Sequence, residues 1–158
     1  GGARFFLTYA MKDRSVQFVT VEAADPRMRR DLPLVRKTVR STLRMCNVRG
    51  AVEVHLIGAE DSRRLNRRFR GKRTPATVLS FKASRSFPHP ASGRVRYLGE
   101  MYLAPSVIRS RGETLPRYVV HGLLHLLGYT HRSKRDTIKM EALEARVLVS
   151  RARRRTIR

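Results

Sequence analysis

The chain has 158 residues, 41% of them hydrophobic, with 35 Lys and Arg against 12 Asp and Glu and a net charge of +23. That is one domain's length with enough apolar residues for its own core, which excludes a disordered tail; no apolar run approaches the roughly 20 residues of a membrane span, so no membrane partner is expected. Only six of the basic residues are Lys, and an arginine-dominated field selects polyanions because the planar guanidinium pairs bidentately with phosphate, so RNA or a ribonucleoprotein is the expected partner.

The one cysteine, Cys46, rules out a disulfide framework and suits a reducing compartment, where it reads as a core residue. The chain begins Gly-Gly-Ala, and nothing at that start reads as a secretory signal. That start leaves open whether residues, a targeting segment among them, lie upstream.

In chain order, residues 4–9 and 15–22 are β-branched and aromatic runs around Lys12 and Asp13, read as two strands or one strand with an extended arm. Asp31 opens a helix whose Leu32, Val35, Val39 and Leu43 repeat on one face while its arginines take the other. Residues 51–57 alternate Val52, Val54 and Leu56 against Glu53 and His55, the period of a half-buried strand. His55 stands alone there and is not read as a ligand. Asp61 or Ser62 is expected to cap a short helix bearing Leu65 and Phe69, ended by Gly71.

Residues 77–81 and 94–103 read as two further strands, with a Pro- and Ser-containing loop over 84–93. Thr114, Leu115 and Pro116 begin a mostly buried helix through Val119, Val120, Leu123, Leu124 and Leu127. Ser133 and Asp136 form a capping box for a last helix with Met140, Leu143 and Val147 inside, and residues 151–158 are a basic block. With no repeats or linkers, the pattern is a single α+β domain in which helices pack on a small sheet.

Three of the five histidines fall in the buried helix and just beyond it, at His121, His125 and His131, with spacings of four and six. A spacing of four puts two imidazoles one turn apart on one helix face, and Gly128 can end the helix so that the next turn returns His131 toward them. Three imidazoles suit Zn2+, whose tetrahedron then keeps one open position, the arrangement of catalytic rather than structural sites. The zinc helix His-Glu-x-x-His places its general base at the second position; here that residue is Gly122, which argues against a metalloprotease of that kind.

Seven of the twelve residues from 62 to 73 are basic: Arg63, Arg64, Arg67, Arg68, Arg70, Lys72 and Arg73. They are candidate RNA contacts, and Arg70, beside the helix-ending Gly71, is placed to reach into a cleft. Arg70-Gly-Lys, then Pro75 and Val78-Leu-Ser-Phe81, Leu98-Gly-Glu100, the histidine motif from Val120 to His131, and Met140-Glu-Ala-Leu-Glu144 together resemble the YbeY family of metal-dependent endoribonucleases and rRNA maturation factors.

The resemblance runs in order over about residues 16–149, leaving residues 1–15 as an N-terminal extension, 16–150 as the family domain and 151–158 as a basic tail; the first dozen residues and the tail are expected docking elements. It implies a mixed sheet of about four strands with packed helices. It also implies one zinc-type ion on His121, His125 and His131, and Arg70 needed for activity, with Arg70 and His121 as the catalytic pair. The implied role is maturing small-subunit rRNA beside ribosomal proteins or assembly factors, with no small-molecule cofactor. Thr130 replaces the family's Asp, Glu100 stands where Asp is usual, Ala76-Thr77 replaces Thr followed by Asp or Asn, and the stretch from Glu100 to His121 is shorter than usual. Loss of a carboxylate beside a metal-bound imidazole commonly costs 10- to 100-fold in affinity or activity, and Thr130 cannot supply that charge.

With the histidine set and the charge, the resemblance implies a zinc-dependent, single-strand-type endoribonuclease acting in small-subunit assembly. The alternative is a weakened or inactive assembly factor that docks on immature rRNA. Hydrolysis of a small substrate gains nothing from this much arginine. An arginine-rich relative of a bacterial-type ribosome factor suits the mitochondrial matrix, or else a bacterial cytoplasm.

Overall fold

The computed structural model describes residues 18–84 and 95–156. The strand expected over 4–9 lies outside the described residues, as do the first part of 15–22 and nearly all of the loop over 84–93.

The elements are β1 (Phe18–Ala23), a 3-10 turn (Pro26–Asp31), α1 (Leu32–Met45), β2 (Ala51–Leu56), α2 (Ala59–Arg70), β3 (Val78–Lys82), β4 (Tyr97–Leu103), α3 (Pro105–Ser110), α4 (Leu115–Leu126) and α5 (Lys134–Thr156). The sheet order is β1-β2-β4-β3; β2 runs parallel to both β1 and β4, and β3 runs antiparallel to β4. This is the expected mixed four-stranded sheet. No helix among the described residues is long and apolar enough to cross a membrane.

Strand alternation divides the sheet into two unlike faces. Val52, Val54 and Leu56 pair with Gly99, Met101 and Leu103, and the side chains of this row are buried under the helices. On the other face Glu53 pairs with Glu100 and His55 with Tyr102. Burial first, and then the Glu53 and Glu100 carboxylates, push the Tyr97 phenol up, so this face carries a negative field on a strongly basic protein.

α1 buries Val35, Val39 and Leu43 completely, as its apolar period requires. It also buries Thr38 and Thr42, whose hydroxyls donate to the Leu34 and Thr38 carbonyls at 2.7 and 2.8 Å and so enter the core with their polarity satisfied. α4 is apolar nearly all round because it is covered on two sides. Val119, Leu123 and Leu126 belong to the core beneath the sheet, while Val120 and Leu124 pack with Met140 and Val147 of α5. The inner stripe expected for α5 is present, with Leu143 half-buried. α5 continues through Thr156, so much of the basic block at 151–158 extends the helix.

Two local expectations change. α2 begins at Ala59 with Gly58 as its N-cap, not Asp61 or Ser62. Ser62 is instead a buried residue of the first turn, whose hydroxyl donates to the Ala76 carbonyl at 2.6 Å and accepts from the Ala76 amide at 2.9 Å. With Asn66 donating to the Thr74 carbonyl at 2.7 Å, it folds the segment after Gly71 back along the helix. The short α3 carries no periodic apolar signature. Its Arg109 clasps the buried Asp31 at 2.6 and 3.1 Å, tying α3 to the turn before α1.

Candidate metal centre

α4 places His121 and His125 on one face, and the chain turns at Leu127 and Gly128, whose φ is 100°, to return His131. The three rings gather as expected. His121 and His131 stack with centroids 5.3 Å apart and 18° between planes, and His125 stands edge-on to both, at 4.7 and 5.2 Å. One nitrogen from each ring lies within 4.8 Å of the other two.

Outer partners set how the rings present themselves. His121 Nδ1 lies 2.6 Å from Glu144 Oε1 on α5, and His125 Nδ1 lies 3.0 Å from the Tyr129 carbonyl. A carboxylate and a carbonyl can only accept, so each ring carries a proton on Nδ1, and the neutral form of each ring then offers its lone pair at Nε2. Those two Nε2 atoms face each other at 3.1 Å. Two lone pairs at that distance repel unless a cation or a proton comes between them. In a tetrahedral zinc site with Zn–N bonds of 2.0–2.1 Å, neighbouring nitrogens are separated by about 3.3 Å, so the donor set fits a zinc-type ion.

The electrostatics favour the neutral ligand. Burial chiefly lowers the His125 pKa, and the His121, His131 and Arg70 charges lower it further against the Tyr129 carbonyl. Arg70 thus acts on the centre from the end of α2, where Gly71 caps the helix at φ 68°. Glu144 sets a carboxylate beside His121, and spacing could not reveal it, because it reaches His121 from another helix 23 residues away.

The other basic candidates are spread around α2 and the turn after it, all exposed. Arg63 pairs with Glu60 at 3.2 Å and Arg64 with Asp61 at 2.9 Å, so both are held along the helix. Arg68 lies over the Phe69 ring at 5.4 Å. By helical spacing Arg63, Arg67 and Arg70 form one stripe, and Lys72 and Arg73 follow it.

Fold and site together define a single α+β unit with a three-histidine cluster formed by α4, which the sheet and α5 enclose, and the turn that follows it. A family model described as Endoribonuclease YbeY matches residues 21–151, and the chain belongs to that family. Endoribonuclease YbeY of Roseiflexus sp. (strain RS-1) is 38% identical over 132 residues, covering 75% of this chain and 82% of the relative. The protein of the same name from Chromohalobacter salexigens is 36% identical over 108 residues, covering 63% and 68%. The solution structure of TM1509 from Thermotoga maritima shares the fold with a TM-score of 0.52 and 21% identity, over 87% of this chain and 93% of that one.

Proposed function

We propose that this chain is a metal-dependent endoribonuclease that matures rRNA during small-subunit assembly, with Zn2+ held by His121, His125 and His131. The observation that carries the reading is the pair of Nε2 atoms opposed at 3.1 Å on rings whose Nδ1 atoms each have an acceptor of their own. The name carried by the bacterial relatives supports RNA as the substrate.

An ion in that position supplies Lewis acidity toward a phosphodiester and makes water acidic enough to ionise near neutral pH. The protein's own groups do the rest. Glu144 and Tyr129 hold the His121 and His125 protons on Nδ1 and keep both rings oriented. Arg70 binds a phosphoryl oxygen and neutralises the charge that grows there as the phosphodiester is broken. The exposed arginines of α2 hold the flanking phosphates and fix the register of the strand without reading its sequence.

The partners under this reading are precursor small-subunit rRNA and its ribosomal proteins or assembly factors. The compartment proposed is the mitochondrial matrix, with the bacterial cytoplasm as second choice. The test is cleavage of a single-stranded rRNA precursor by zinc-loaded protein. Wild type should cut, and His125→Ala and Arg70→Ala should each lose at least about 100-fold in rate, on the scale of one electrostatic group aimed at a transition state. Identical products and rates from all three proteins would overturn the reading. The non-catalytic docking alternative draws on the +23 charge; it predicts that cleavage-dead His125→Ala rescues ribosome production in cells, whereas the nuclease reading predicts that it does not.

A further inference from the structure

The sheet face turned away from α1 and α4 carries a second set of donor atoms, distinct from His121, His125 and His131. Glu53 and His55 are two residues apart on β2 and so share that face, and the register sets Glu100 of β4 opposite Glu53. The His55 that stood alone in the sequence therefore has company in the fold. Its Nε2 lies 3.7 Å from Glu53 Oε2 and 3.8 Å from Glu100 Oε2, and one donor atom from each of the three lies within 4.8 Å of the others.

The ring nitrogen itself is the second observation. His55 Nε2 is buried and has no hydrogen-bond partner among the described residues, although two carboxylates flank it. A buried polar atom left unpaired is costly, and native structures rarely keep one without a ligand, ion or water to satisfy it. The ring is also held in its place. It stacks on Tyr102 with centroids 4.8 Å apart and 21° between planes, Glu22 Oε2 stands 3.7 Å from its Nδ1, and the Tyr102 hydroxyl donates to Glu100 Oε2 at 3.2 Å.

Donor atoms bound to one divalent ion through bonds of 2.0–2.2 Å are separated by about 3.0–3.5 Å. The two distances from Nε2 exceed that by a few tenths of an ångström, within the swing of a carboxylate at the end of a glutamate. One imidazole with two carboxylates suits a borderline divalent ion such as Zn2+, and selects against Ca2+ and Mg2+, which take oxygen alone.

We propose that Glu53, His55 and Glu100 form a second divalent-cation site, of Zn2+ type, that clamps β2 to β4 on the face opposite the core. It stands whether or not the three-histidine centre is loaded.

Zn2+ is the probe. The full chain is stripped with chelator, equilibrated with Zn2+ and dialysed, and bound metal per chain is counted by mass spectrometry. Wild type should hold two ions, His55→Gln one, Glu100→Gln one, His125→Ala one, and His55→Gln with His125→Ala none. In the His125→Ala background Zn2+ should raise Tm, and adding His55→Gln should remove that rise. Far-UV circular dichroism identifies any variant that fails to fold, and the two single variants at this site stand in for each other. A wild type whose only ion disappears with His125→Ala overturns the proposal, as do His55→Gln and Glu100→Gln chains that fold and still keep both ions. One ion lost with His55→Gln but kept with His125→Ala would uphold this site and count against the centre on α4.

Discussion

In the proposed metal site Glu144 would decide how His121 meets the ion, because its carboxylate both holds the Nδ1 proton and makes the opposite nitrogen a better donor. Glu144→Gln keeps the volume and a hydrogen-bonding oxygen while removing the charge. It is expected to weaken Zn2+ binding by about 10- to 100-fold, measured by competition with a chromophoric chelator, with the far-UV spectrum unchanged. Equal affinity would mean that the Tyr129 carbonyl and the helix alone orient the ligands. The histidine triplet was legible as spacing, since one helical turn and one glycine turn suffice to bring three rings together. Glu144 was legible only as part of a family motif. Its pairing with His121 is a consequence of how α5 packs, and no local period carries that information.

At the scale of elements, α4 is positioned by the close approach of its backbone to the sheet. A Cβ at Gly122 would lie 2.8 Å from Met101 Sδ, 2.8 Å from Val78 Cγ2 and 2.9 Å from Ser80 Oγ, and the Ser80 hydroxyl donates to the Gly122 carbonyl at 3.0 Å. Gly122→Ala would gain about 1 kcal/mol of helix propensity but force these side chains apart, which costs about 1–3 kcal/mol. Net destabilisation of up to about 2 kcal/mol is expected in urea unfolding, together with weaker Zn2+ binding as the neighbouring His121 is displaced. The seam between α4 and α5 offers a second measurement. Met140 is completely buried against Val120 and Leu124, and Met140→Ala should cost about 2–5 kcal/mol, read from the same unfolding curves. Apolar periodicity revealed α1, α4 and α5 because each covers a core. It gave no sign of α3, held by the Asp31–Arg109 pair, nor of the α2 start, where Ser62 and Asn66 are buried through hydrogen bonds to the chain beyond Gly71. A burial rule built on hydrophobicity assigns such residues to solvent.

Over the whole molecule, a charge of +23 fixes the sign of the partner but says nothing about which arginines touch it. The ion pairs make that distinction. Arg63 and Arg64 are each held by an acidic neighbour one turn away, whereas Arg67 and Arg70 have no ion pair among the described residues and Arg70 lies close enough to act on His125, with Lys72 and Arg73 beyond. A surface pair of this kind is worth about 0.3–0.5 kcal/mol in a helix, too little to prevent a phosphate from competing but enough to blunt each arginine's share of binding. Affinity for single-stranded RNA should therefore fall with salt at a slope of about 0.7 per phosphate contact on logarithmic axes. Replacing Arg67, Lys72 and Arg73 together by Ala should flatten that slope by about 2, while replacing Arg63 and Arg64 should flatten it by about 1 or less. Fluorescence anisotropy across a salt series in a His125→Ala background, expected to be cleavage-dead, reads both numbers. Equal slopes for the two sets would show that the basic residues act as an undivided cloud of charge, and that Arg67, Lys72 and Arg73 have no privileged place in holding the strand.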